Sequence, residues 1–152
     1  MTVSNEESSN EDAARATNAW NATIIEEFRA NEGILGGQFM GAPVLLLRTT
    51  GARTHTHRVN PMMYLSDEGR IFVFASKAGA DKNPDWFHNL VADPAVSVEL
   101  GTEKFKATAS PLSGEERDRV YAIQAERFPG FAEYQAKAAR IIPVVELIRS
   151  YP

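Results

Sequence analysis

The residues able to do chemistry crowd into one stretch, Arg48 to Asn89 (RTTGARTHTHRVNPMMYLSDEGRIFVFASKAGADKNPDWFHN). Its first part holds Arg48, Arg53, His55, His57 and Arg58. No Asp or Glu occurs between Gly33 and Ser66, although the chain has 20 acids, 16 Lys plus Arg and a net charge of −4. The local positive excess is therefore not background composition. Arginine forks match phosphate and carboxylate oxygens, and Thr hydroxyls with backbone N–H groups complete such a shell. The turn around Thr50-Gly51 thus suits a phosphate-like anion. A solvated positive turn is the competing explanation. Further on, Ser76-Lys77 ends an apolar run, and Lys82-Asn83-Pro84 precedes a helix start. Asn83 fits an N-cap and Pro84 a first helical residue. A helix N-terminus favours an anion, which puts a second anion contact near Asp85-Trp86.

Other chemistries find little support. His55 and His57 would share a face on a strand, but no third ligand accompanies them and His88 falls on a helix, so no metal site is expected. There is no Walker loop and no GxGxxG. Ser76 lacks a sequence cue for a Ser-His-Asp arrangement. One short basic patch in an acidic chain argues against nucleic acid. A chain without a strong nucleophile points to a cofactor that does the chemistry while the protein positions it.

The elements that must position these groups can be read in order. The 152 residues suit one domain. With no cysteine, disulfides and Cys-ligated metals are excluded and a reducing cytoplasm is the expected compartment. No apolar run reaches the ~20 residues of a membrane span. Residues 1–11 are polar and acidic and predict a disordered tail, leaving 12–152 as a single domain. Asp12 to Ala30 predicts a helix with Trp20, Ile24 and Phe28 on one face, stopped by Asn31-Glu32-Gly33. Strands are expected over Ala42–Thr50, buried on both faces at Val44–Leu47, and over Arg58–Leu65, Arg70–Ser76, Ala95–Leu100, Glu103–Ala109 and Ile141–Ile148. Pro61 implies an edge or a bulge. Pro84–Val91 predicts a short helix. Ser113-Gly-Glu-Glu116 has capping-box spacing before a helix to Arg127, and Glu133–Arg140 predicts another. The fold class is α+β, mainly β: a small barrel of about six to seven strands with an N-terminal helix, an inserted short helix and C-terminal helices. Phe128, Phe131 and Tyr134 form either core or an apolar wall for a flat substrate.

GARTHTHRVNP, FASKAGADKNPDWFHNL and FPGFAEYQ together resemble the deazaflavin-dependent nitroreductase family of actinobacteria, over about residues 15 to 150. The resemblance implies a flavin-binding split β-barrel that uses coenzyme F420, without a metal, to transfer a hydride to an electron-poor acceptor such as a quinone, a nitro compound or a conjugated enone. It implies that Ala52, Arg53, Thr54 and Arg58 hold the phosphate side of the cofactor. Val59, Asn60, Pro61, Met62 and Met63 would border its ring or ribityl chain. Phe74, Ala75, Ser76 and Lys77 would face them, and Asp85, Trp86, Phe87, His88 and Asn89 would close the far side with Phe131, Lys82 lying nearby. Ser76 and Tyr134 are the implied catalytic hydroxyls. Met63, Phe128, Phe131 and Tyr134 would contact the acceptor. Met63 stands where some relatives place Tyr, and Phe128 and Phe131 lack hydroxyls, which weakens activation of bulky bicyclic nitro compounds. An FMN-dependent oxidoreductase and a non-catalytic F420 carrier or sensor are the alternatives. The acidic tail argues for no more than weak, peripheral membrane attachment. Barrels of this type often pair, which leaves a homodimer open.

Overall fold

The computed structural model describes residues 19–150. The expected acidic tail and the expected helix start at Asp12 lie outside the described residues. The apolar run of β1 (Val44–Thr50) serves two cores at once, because successive side chains of a strand point to opposite faces. Leu45 and Leu47 enter a cluster inside the barrel, whereas Val44 and Leu46 enter a second cluster with Ile24 and Phe28 of α1 (residues 19–30).

β2 (His57–Asp67), β3 (Arg70–Phe74), β4 (Ala95–Leu100), β5 (Glu103–Pro111) and β6 (Val144–Arg149) complete a closed barrel in the order β1-β2-β3-β6-β5-β4. Every pairing is antiparallel. All six expected strands are present with ends shifted by a few residues. On β5, Phe105, Ala107 and Ala109 are buried while Lys104, Lys106 and Thr108 are exposed, the expected wet face. Helix α2 (Asp85–Ala92) adds Trp86 and Leu90, one turn apart, to the interior cluster. Helices α3 (Gly114–Arg127) and α4 (Gly130–Lys137) cover the outward side chains of β3 and β6. There Phe72, Phe74 and Val144 meet Val120, Tyr121 and Phe131.

Three local expectations change. Pro84 is itself the N-cap of α2, and its extended ψ of 156° starts the helix one residue later, at Asp85. Asn83 does not cap the helix; its Oδ1 accepts from Arg140. Ser113 is the N-cap of α3, but its hydroxyl makes no capping hydrogen bond. Trp20 remains 45% exposed, its ring 5.5 Å from Phe39, so the buried face of α1 is narrower than its apolar spacing suggests.

Besides the packing of Ile24 and Phe28, α1 is held over the barrel by its stop and by an ion pair. Gly33 has φ +88° and donates its N–H to the Phe28 carbonyl at 2.8 Å, a Schellman-type closure. The Arg29 fork donates to both oxygens of Glu99 on β4, at 3.1 and 2.8 Å. That bond keeps Glu99 ionised below the ordinary glutamate value of 4.5. The stabilisation is therefore complete above the unfolded value and is lost as pH falls through the lower folded one. Because Arg29 is half exposed, the pair contributes only about 0.5–1 kcal/mol. Glu99→Gln is expected to lower stability by that amount at neutral pH and to have less effect in acid, read by urea melts across pH. Equal loss at both pH values would assign the effect to packing.

Candidate functional site

β2 changes partner along its length. Residues Tyr64 to Asp67 pair with β3, whereas His57 to Met63 pair only with β1. Beyond Phe74 the chain leaves β2 and follows β6, with Ala75 N–H donating to Pro143 O at 3.0 Å. The sheet thus splits beside residues 57–63. Pro61 sits on this unpaired flank, where its missing N–H costs nothing. The register with β1 runs unbroken from Val44↔Met63 to Thr50↔His57, so Pro61 marks an edge and not a bulge.

The basic turn lies at the start of this flank. Gly51 N–H donates to Thr56 O at 2.7 Å and His55 N–H to Gly51 O at 2.9 Å, while His55 takes a left-handed φ of 59°. Thr54 Oγ1 lies 2.7 Å from Thr56 Oγ1, so this hydroxyl shapes the turn. Asn89 accepts from Ala52 N–H at 3.0 Å and donates to Thr49 Oγ1 at 3.3 Å. It is 8% exposed and anchors the turn to α2. Arg53 and Arg58 stand exposed. Among the described residues, no carboxylate pairs with either of them, or with Lys77 or Lys82. Arg29, Arg70, Arg117, Arg119 and Arg149 are engaged with acids, whereas Arg48 and Arg127 make no ion pair with a carboxylate among the described residues either. Exposed Asp85 stands in the first turn of α2.

The segment after β3 forms the facing loop. Lys77 and Ala78 have φ of 44° and 53°, unusual for residues with a Cβ. At Gly79 (φ +81°) an added Cβ would lie 2.9 Å from Tyr134 O, so the loop presses against α4. Arg140 binds it from below: Nε donates to Ala80 O (3.0 Å), Nη1 to Ala75 O (3.1 Å) and Asn83 Oδ1 (2.6 Å), and Nη2 to Ser76 O (3.1 Å). Asp81 Oδ1 accepts from Ala139 N–H at 3.0 Å. Burial moves the Arg140 guanidinium below its ordinary value. Ser76 is half-buried, and its hydroxyl has no hydrogen-bond partner among the described residues.

Val59, Pro61 and Met63 alternate onto the outward face of β2. Val59 packs toward α1, and Met63 touches both the α1 cluster and the α3–α4 cluster. A cleft of about 620 Å³ opens between α1 and this strand, with Asn21, Ile25 and Arg29 on one wall and His57, Arg58, Val59 and Asn60 on the other. Met62 turns inward against the barrel cluster. Half-buried Phe128 and Tyr134 border the α3–α4 cluster.

Several residues nominated by resemblance are buried in the described fold. Phe131 (7% exposed) stacks edge-on to Phe74 at 5.6 Å and Tyr134 at 5.3 Å, and its carbonyl accepts from Tyr121 OH at 2.6 Å. Phe74, Ala75 and Trp86 are likewise buried. Phe87 is half-buried against the barrel interior, while His88 is exposed, their rings 6.1 Å apart. Among the described residues, no three His, Asp or Glu side chains gather as metal ligands. No described helix is long and apolar enough to cross a membrane. Arg140 and the α1 wall of the cleft had no sequence signal, since a lone arginine after a helix and polar residues on a helix are commonplace.

Comparison with known proteins bears on the fold and the family. A family described as F420H(2)-dependent quinone reductase matches residues 20–148. An F420H(2)-dependent quinone reductase of Mycobacterium tuberculosis is 37% identical over 126 residues, covering 80% of this chain and 85% of that one. A solved F420-H2 dependent reductase, FDR-A, is 40% identical with a TM-score of 0.64, covering 69% of this chain and 93% of that chain. A second solved chain, described as a domain-swapped dimer, is 34% identical with a TM-score of 0.66, covering 91% and 98%.

Proposed function

Because the chain belongs to the F420H(2)-dependent quinone reductase family, we propose that the split beside β2 is where it binds reduced coenzyme F420 and brings a quinone against it. The observation that carries this reading is that Arg53 and Arg58, at the start of the apolar β2 face, and Lys77 and Lys82, on the loop after β3, have no carboxylate partner among the described residues. The cofactor couples a flat ring to a phosphate and an oligoglutamate tail. The free arginine forks fit its anionic end, and Val59, Pro61 and Met63 offer a flat apolar bed for its ring.

Reduced F420 supplies a hydride and is poor at one-electron exchange. The protein's own contribution is placement and a hydrogen bond. Arg53 and Arg58 anchor the charged end, while Met63 and the half-buried Phe128 and Tyr134 keep water from the acceptor. Ser76 donates its free hydroxyl to the acceptor oxygen on which charge develops. A serine hydroxyl is too weak an acid to be the terminal donor, so water delivers the proton through Ser76 or Tyr134. Hydride plus proton completes the two-electron reduction of a quinone; nitro compounds and conjugated enones are further acceptors under the same chemistry. Pairing of two copies belongs to this reading, supported by the relative described as a domain-swapped dimer. So does a cytoplasmic, at most peripherally membrane-bound location, supported by the absence of cysteine.

Fluorescence titration with F420 and with FMN tests the cofactor. F420 is expected to bind more tightly, because its longer anionic tail engages more of the unpaired cations. Equal or tighter binding of FMN would overturn this reading. Turnover of menadione with reduced F420 separates an enzyme from a carrier.

A further inference from the structure

We infer that Arg140 is a positioning residue of this site, acting through the loop of residues 75–83; the inference rests on the functional reading above. The loop cannot hold its shape by local preference. Lys77 and Ala78 occupy left-handed backbone conformations that side-chain-bearing residues avoid. Such conformations persist where the surroundings over-determine them. Here the surroundings are α4, which lies against Gly79, the Asp81 bond to Ala139 N–H, and above all the Arg140 side chain. The guanidinium of Arg140 makes four hydrogen bonds, all to this loop, and they span it from Ala75 to Asn83. Two of the acceptors, Ala75 O and Ser76 O, immediately precede Lys77. The loop is closed on itself by Gly79 N–H to Ser76 O at 2.9 Å and Ala80 N–H to Lys77 O at 3.1 Å.

The geometry also explains why an arginine is needed. Its rigid planar fork presents donors in several fixed directions, whereas a lysine ammonium is a point charge that cannot reach acceptors on both sides of the loop. Removing the fork would take a donor from the carbonyls of Ala75 and Ala80, leave Ser76 O with Gly79 N–H, and free Lys77 and Ala78 to relax to negative φ. Ser76 and Lys77 would then lose their fixed backbone conformation, while the barrel pairings, which Arg140 does not touch, would remain.

The test compares wild type with Arg140→Ala and Arg140→Lys by hydrogen exchange, F420 titration and menadione turnover per folded molecule. In either variant, amides of residues 75–83 are expected to exchange about tenfold faster or more, with β1, β4 and β5 unchanged. Turnover is expected to fall about tenfold. Millimolar guanidinium, but not equal sodium chloride, should partly restore Arg140→Ala by refilling the vacated fork. Should Arg140→Ala fail to fold, Arg140→Lys carries the same comparison. Wild-type exchange in the loop, or wild-type turnover in folded variants, would overturn the inference. Absence of turnover in the unsubstituted protein would instead overturn the functional reading, and the exchange data would still decide whether Arg140 holds the loop.

Discussion

Arg53→Glu and Arg58→Glu are each expected to weaken F420 binding by about 2–4 kcal/mol, since each change removes a charge-assisted hydrogen bond and adds a repulsion. Both side chains are exposed and neither has a carboxylate partner among the described residues. Their replacement therefore breaks no ion pair within the described fold, and stability should change by no more than about 0.5 kcal/mol. Loss of affinity without loss of stability is the signature of a ligand-directed charge. Wild-type affinity should fall as salt rises, because the contact lies at the surface, and the variants should show a weaker salt dependence. Arg70→Glu serves as contrast: Arg70 is tied to Glu146 and Glu116, so its reversal should cost stability and leave F420 binding alone. An unchanged dissociation constant in both Arg53→Glu and Arg58→Glu would move the phosphate contact elsewhere.

How much of this was legible in the sequence depends on the range of the forces involved. The strands were, because period-two burial and turn residues are local: Val44–Leu47 and the alternation of Phe105, Ala107 and Ala109 each state their own faces. The basic turn was legible because a window free of acids needs no fold to be seen. The roles inside the site were not. Asn89 looks like a polar ligand on a helix, yet the fold turns both of its amide groups onto Ala52 and Thr49. For Phe131 the sequence left core and aromatic wall both open, and only the fold places it in the cluster with Phe74 and Tyr121. Arg140 lies 64 residues from Ser76, and nothing near either one announces the bond. Contacts of that separation are products of topology. The split beside β2 is an intermediate case: Pro61 signalled an edge or a bulge, and only the unbroken register with β1 decided between them.

Ser76→Ala is expected to lower kcat/KM with a quinone about tenfold to a hundredfold, or roughly 1.4–2.8 kcal/mol, while changing F420 affinity little. A hydrogen bond to an oxygen that gains charge is stronger in the transition state than in the ground state, so its loss appears in turnover. The geometry favours this over a purely structural role. Ser76 is anchored by its backbone carbonyl, which accepts from Arg140 and from Gly79 N–H. Its hydroxyl takes no part in that anchoring, so removing the oxygen should leave the loop in place and the melting temperature nearly unchanged. Tyr134→Phe is the comparison. Tyr134 packs edge-on to Phe131 at 5.3 Å, an interaction that phenylalanine keeps, so any loss of rate there reports on the hydroxyl alone. If water delivers the proton through Ser76, the Ser76→Ala rate should be the lower of the two; if through Tyr134, the order reverses. Wild-type turnover in Ser76→Ala would remove Ser76 from the catalytic residues, and a fall in melting temperature matching the fall in rate would return it to a structural role.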